Sequence, residues 1–407
     1  MKLRQYYEDV VLPLQECVMD MQLNGVMIDQ ERMRLLHASC NNILNANLKI
    51  WEELLGYSFN PNSSKQCAAL YEKDLSVSLN GSSDKLHLLK AVLKEPQLEH
   101  ITKAILQDRD LSKLRGTYLT VEPNADGRLR SDWRAYGTVT WRLSSRDPDL
   151  QNLPRDAKQG INIKDIYIAP PGRILYSRDY SQLEYRIPAY ASGSKNLIHL
   201  FESGQDVHLR NAKIVFPREH LDRKSPKRTL AKTIKYAEGY GGAAQGVSDA
   251  ILKSTYEYVD PKVISLILSA WRKEDKEMYD WLEQGYTDAR NNGVLYDGFG
   301  IPRHLYSRPD DRRGTGLAWP TAATASGIMN RSMVRFWKSS YRKKFDVKLV
   351  MQVHDELLLE VPDPVDPELD HCIKEDMEKE VNIFGINVVF PTDVKVGYRY
   401  SELGTLK

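Results

Sequence analysis

The sequence predicts an α+β protein whose helical segments flank a mixed core that is discontinuous along the chain. Apolar residues recur at helical spacing from Val11 to about Leu119, and again from Ser194 to Asn292. Between those runs, and after Asn292, short strand-like segments alternate with turns. Two of these strand-like segments end on aspartates: Arg173–Arg178 runs into Asp179, and Val347–Val353 meets Glu356–Val361 around Asp355.

In chain order, Val11, Leu14, Val18 and Met21 mark a first helix, which Asn24-Gly25 interrupts. A second helix begins near Asp29, and the serines of Asn60-Pro-Asn-Ser-Ser64 cap the one after it. A polar loop at Asn80–Asp84 precedes more helix. After Pro123 the pattern becomes strands and turns, with Asp126-Gly127 predicted as a hairpin turn. Pro170-Pro171-Gly172 leads into the strand that ends at Asp179. Neither an internal repeat nor a low-complexity tract occurs.

At 407 residues the chain exceeds what one hydrophobic core serves, so several subdomains are expected. The apolar fraction of 42% and charged fraction of 28% are those of a globular protein. The longest apolar stretch, Val263–Trp271, is too short to cross a bilayer, and no secretory leader opens the chain. The expected compartment is the cytoplasm. Cys17, Cys40, Cys67 and Cys372 form no CxxC pair, which argues against zinc and disulfide frameworks. Net charge is only +2, but Arg218–Lys235 carries seven basic side chains against two acidic ones.

Taken singly, an aspartate at a strand end is a turn residue. Two such ends with a basic helix between them have another reading. Two close carboxylates stay ionised cheaply only when a cation joins them, and magnesium accepts two carboxylates plus waters and phosphates. Between the aspartates, Ser225-Pro226 starts a helix, with serine at the cap and proline at the first turn. Arg228, Lys232, Tyr236 and Tyr240 then form a slanting stripe on one face, while Leu230, Ala231, Ile234 and Ala237 face a core. Cations followed by aromatics suit a triphosphate, a sugar and a base. A solvated amphipathic face is the commoner origin of such a helix.

These pieces together resemble the A family of DNA polymerases, the DNA polymerase I type. The resemblance rests on Asp179-Tyr-Ser-Gln-Leu-Glu-Tyr-Arg186, on Arg228-xxx-Lys232-xxx-Tyr236-xxx-Tyr240-Gly241 and on Gln352-Val-His-Asp-Glu356. Thr140-Trp-Arg-Leu-Ser-Ser145, Asp147–Pro154 and Asp206-Val-His208 also fit, all in the family's order. The resemblance implies a right-hand architecture with an antiparallel-sheet palm and helical thumb and fingers. Residues 1–25 would lead into the palm, 26–115 form the thumb, 116–190 and 297–407 the two parts of the palm, and 191–296 the fingers.

The resemblance also implies roles. Asp179, Asp355 and the carbonyl of Tyr180 would bind two Mg2+ ions, with Mn2+ able to substitute, and Glu356 would support them. Arg228, Lys232 and His208 would hold the triphosphate, with Lys232 protonating the departing pyrophosphate. Gln182 would line the nucleotide site, and Glu184 would hydrogen-bond Tyr240 and bar a 2′ hydroxyl. Tyr236 would pack on the sugar, a feature the family links to ready acceptance of dideoxynucleotides. Arg142, Gln151, Asn152, Gln352 and His354 would contact primer–template DNA.

Departures from the pattern are Trp141 where glycine is usual, Glu238 in a commonly apolar position, Gly239, Pro188 inside a helix, and Ala318 and Ala322 where Asn and Gln are expected. No acidic cluster of a proofreading exonuclease precedes the polymerase-like region. Competing readings are a single-subunit RNA polymerase, a metal-dependent nuclease using Asp179 and Asp355, and a DNA-binding protein with a decayed site.

Overall fold

The computed structural model describes residues 3–239 and 243–406. Helix α1 (Leu12–Asn24) stops at Gly25, which has φ +58° and lies so close to Leu129 and Arg130 that a Cβ would meet both at 2.8 Å. Asp29 then caps α2 (Gln30–Leu55) by accepting from Arg32 N at 2.8 Å. Helices α3 (Lys85–Lys94) and α4 (Glu99–Leu114) follow, α3 capped by Asp84. With the end of α2 they bury Trp51, Phe59, Leu70, Tyr71, Leu88 and Ile105 in a small separate core.

The main sheet has five antiparallel strands: β1 (Arg173–Tyr180), β2 (Lys348–Val353), β3 (Glu356–Pro362), β4 (Thr392–Gly397) and β5 (Gly404–Thr405), in the order β5-β4-β1-β3-β2. Near-continuous apolar runs such as Leu349–Met351 and Leu357–Leu359 are fully buried, which places the sheet at the centre of the largest core. The discontinuity expected from sequence follows from this order, because β1 lies between strands that come far later in the chain.

Leaving β1, the chain enters a helical lobe: α5 (Leu183–Ala191, with Pro188 inside it), α6 (Val207–Val215), α7 (Pro226–Gly239), α8 (Ala244–Thr255), α9 (Pro261–Glu274) and α10 (Lys276–Asn292). They share a second core around Phe201, Ile234, Ile264 and Trp271. The long α11 (Arg313–Lys338) returns to the sheet and packs against α1, α5, α10 and α12 (Pro367–Met377).

Asp126-Gly127 sits in a tight turn closed by Gly127 N donating to Asn124 O, but it joins no hairpin. Arg128–Leu129 pairs instead with Val26–Met27, far away in sequence. Local turn chemistry gave the bend and not the strand partner.

Besides sharing the sheet, the two helical lobes touch each other. Lys90 of α3 meets Asp249 of α8 at 2.9 Å, Lys85 lies 4.4 Å over the Tyr256 ring, and Leu252 of α8 is buried in the first lobe's core. Among the described residues no helix is long and apolar enough to cross a membrane.

Candidate active site

Strand register builds the acidic centre. Asp179 pairs across the sheet with Glu356 of β3 on one side and Asp393 of β4 on the other. The two-residue tip His354-Asp355 joins β2 to β3, and Tyr180 N donates to Asp355 O at 3.1 Å. The two aspartates, remote in sequence, therefore meet.

Asp179 opens to the cleft and Asp355 is half-buried. Burial, then the charge of Glu356, pushes the Asp179 carboxyl up to about 7, against the opposing pull of Lys395 and Arg155. Burial, then Glu184, likewise pushes Asp355 up to about 7, and Asp179 adds to the rise. The cations that act on them are Lys395 and Arg155 at Asp179 and Arg142 at Asp355. Glu356 accepts from Ser177 Oγ at 2.6 Å and from the Tyr400 hydroxyl at 3.1 Å. No group of three or more His, Cys, Asp or Glu residues placed to hold a metal occurs among the described residues. The donors on offer are two carboxylates, a set that fits a hard cation keeping waters and substrate oxygens.

Helix α7 forms the opposite wall. Arg228 donates through Nε and Nη2, both at 2.8 Å, to Asp206 Oδ2, and Asp206 itself caps α6 by accepting from Leu209 N. Burial, with Arg155 and Arg228 nearby, lowers the pKa of Lys232. Burial and the charge of Lys232 bring His208 down to about 4, so its imidazole is neutral at pH 7. Its buried Nδ1 has no partner. The Tyr236 ring is 48% exposed, with its centroid 5.8 Å from that of His208. Tyr240 lies outside the described residues, and with it the expected Glu184–Tyr240 bond. The partner seen for Glu184 is Arg142, whose Nη2 donates to Glu184 Oε1.

A cavity of about 1170 Å³ joins the two walls and is lined by Asp179, Asp355, Tyr236, His208, Arg142 and His354, among others. The Oε1 of Gln182 is buried without a partner on its border. Asn152 is exposed there and anchored to Asp149. Gln151 and Gln352 do not fit their expected role as DNA contacts. They are 7% and 2% exposed and bond each other, Gln151 Nε2 donating to Gln352 Oε1 at 2.8 Å. Gln352 in turn donates to the His354 carbonyl, so the pair supports the tip that carries Asp355.

Trp141, which stands where glycine was expected, has φ +63°, and its ring meets Tyr136 and Trp319 edge to face at 6.0 and 6.2 Å. The backbone shape a glycine would favour is kept, with an aromatic side chain wedged beside Arg142. Ala318 and Ala322 of α11 line the cavity and offer no polar group there, although Arg313 and Thr321 of the same helix do. Sequence reasoning missed Arg155, whose charge acts on Asp179, Lys232, Tyr236 and His354. Its place directly after Leu153-Pro154 was the available signal. It also missed Asp393 and Lys395, which nothing short of the strand register brings to Asp179.

A model of DNA polymerase family A matches residues 30–402. The thermostable DNA polymerase I of Thermus aquaticus is 31% identical over 409 residues, covering 96% of this chain and 47% of that protein. DNA polymerase I of Helicobacter pylori (strain ATCC 700392 / 26695) is 29% identical over 407 residues, covering 97% of this chain and 44% of that protein. The chain thus spans about half the length of the curated relatives it matches. Among solved structures, the POL domain of Pol1 from M. smegmatis, in complex with DNA primer-template and dNTP, superposes with a TM-score of 0.85. It shares 23% identity, covering 97% of this chain and 71% of that one, a likeness of fold.

Proposed function

Because the chain belongs to DNA polymerase family A, we propose that it extends a primer 3′ end on a DNA template with deoxynucleoside triphosphates and releases pyrophosphate. The observation that carries this reading is the meeting of Asp179 and Asp355 in one cavity with Tyr236 of α7. Asp179, Asp355 and the Tyr180 carbonyl would hold two Mg2+ ions, for which Mn2+ could substitute, with Glu356 held in support by Ser177 and Tyr400. When bound, such ions supply Lewis-acid activation of the 3′ hydroxyl and neutralise charge on the leaving group.

The chain's own groups account for the rest. Asp206 aims Arg228 and leaves its Nη1 for a phosphate oxygen. Lys232 gives up a proton more readily than an ordinary lysine, which suits the acid that protonates pyrophosphate. His208, being neutral, contributes a hydrogen bond and not a charge. Tyr236 and Gln182 flank the sugar, and Glu184, tethered by Arg142, occupies its 2′ side. Arg142, Asn152 and His354 face the duplex, a positioning role without sequence choice. Residues 26–115 would act as thumb, 191–296 as fingers, and 1–25, 116–190 and 297–407 together as palm. Catalysis is then mainly positioning and electrostatics. The lack of a polar group at Ala318 and Ala322 relaxes checking of the primer end. A cytoplasmic location goes with this reading.

Primer extension with Mg2+ tests it, comparing the parent with Asp355→Ala. Extension is expected to fall by at least ~10²-fold, while salt-sensitive DNA affinity persists because it rests on distributed phosphate contacts. Extension near the parental rate would remove Asp355 from the mechanism. Equal use of ribonucleotides by the parent would favour an RNA polymerase.

A further inference from the structure

Lys235 immediately precedes Tyr236 on α7, about 100° around the helix from it, and lines the same cavity together with Tyr185, Glu238 and Tyr279. Its ammonium lies over three aromatic rings from three other helices: Tyr185 of α5 at 5.0 Å, Trp271 of α9 at 5.4 Å and Tyr279 of α10 at 4.7 Å. It donates to Glu238 Oε2 at 3.1 Å and to the Tyr279 hydroxyl at 2.8 Å, and that hydroxyl donates to Glu238. Only 11% of the Lys235 side chain and 10% of Glu238 are exposed. A charge so enclosed persists only when fully partnered, and here a carboxylate, a hydroxyl and three ring faces supply the partners. The cage also accounts for Glu238, the acidic residue the sequence pattern left unexplained.

What the cage connects is specific. Tyr185 directly follows Glu184 on α5, and Tyr236 directly follows Lys235 on α7. The ammonium thus ties together two backbone positions, each one residue from a side chain assigned to the sugar. Tyr185 is fixed from behind, its hydroxyl accepting from Asn211 Nδ2 at 3.1 Å and its ring meeting Phe201 edge to face at 5.4 Å. Glu184 is tethered on its other side by Arg142. We infer that Lys235 is a positioning residue that holds Glu184 and Tyr236 at a fixed separation, and so sets how strongly a 2′ hydroxyl on the incoming nucleotide is rejected. This inference rests on the polymerase reading.

The test is single-nucleotide insertion on one primer–template, with kcat and KM measured for matched deoxy- and ribonucleotides. Lys235→Met alone strands Glu238, so Lys235→Met/Glu238→Gln is the main variant. Tyr185→Leu, which removes one ring and spares the ion pair, serves if that variant does not fold. The expected result is a deoxynucleotide KM raised about fivefold and a deoxy-to-ribo preference reduced about tenfold, on the scale of a lost desolvated cation–π contact. Lys235→Arg, which keeps the cation, should hold the preference near the parental value. A folded variant with parental preference, whatever its KM or melting temperature, reduces the cage to scaffold and overturns the inference. A parent that adds no nucleotide at all overturns the polymerase reading itself.

Discussion

Asp355 carries a charge the fold resists: without metal, burial and its acidic neighbours push its carboxyl up to about 7. A free aspartate titrates near ~3.9. The folded state therefore holds the proton more tightly than the unfolded chain. Stability of the metal-free protein should fall as pH rises from about 4 to about 7, and the loss is complete above that. Asp355→Asn is expected to be more stable than the parent at pH 8 by about 1–2 kcal/mol, since part of the effect is shared with Asp179, and to show no gain at pH 4. Urea titrations in chelator at the two pH values measure this. A gain of equal size at both would mean that ionisation of Asp355 is not what the fold opposes. Residue types at this scale were legible: Asp179, Asp355, Arg228, Lys232 and Tyr236 were all marked from sequence, and Asp179, Asp355 and Tyr236 line the cleft. Their partners were not. Arg142 with Glu184, 42 positions apart, and Lys235 with Tyr279, 44 apart, are pairings no local pattern encodes.

The β2–β3 hairpin shows what an element adds. Apolar runs predicted both strands, and Asp355 lies at the hairpin tip expected for it. Gln151 and Gln352 were assigned to DNA by the family resemblance, whereas 201 residues of separation hide that the amides bond each other in the interior. Gln352→Ala removes the bonds to Gln151 and to His354 O, and is expected to destabilise the protein by about 1–3 kcal/mol. Its kinetic signature should be a reduced kcat with primer–template Kd nearly unchanged, since the damage is to the seat of Asp355. A weakened Kd with unchanged kcat would return the residue to DNA contact. Helix starts at Asp29, Ser63 and Asp84 were legible because their caps are local.

At the scale of the whole molecule, the fold class was legible from alternating helical and strand text, while the approach of one helical lobe to the other was not. Lys90 and Asp249 meet with side chains 42% and 20% exposed, so their attraction is that of a solvated pair, about 0.2–1 kcal/mol. Asp249→Lys sets like charges against each other there. Dissociation of primer–template, followed with a competitor trap, should quicken roughly two- to fivefold with single-insertion kcat unaltered. An unchanged rate would mean the contact has no part in retaining DNA.

The chain thereby makes a circuit: sheet to first lobe, first lobe to second through Lys90, Leu252 and Tyr256, and second lobe back to sheet through α5 and α11. Two of its three joints are continuous polypeptide and packed core, and the third is a fastening of a few side chains. Added salt screens the Lys90–Asp249 pair, so it should weaken this joint more than the other two.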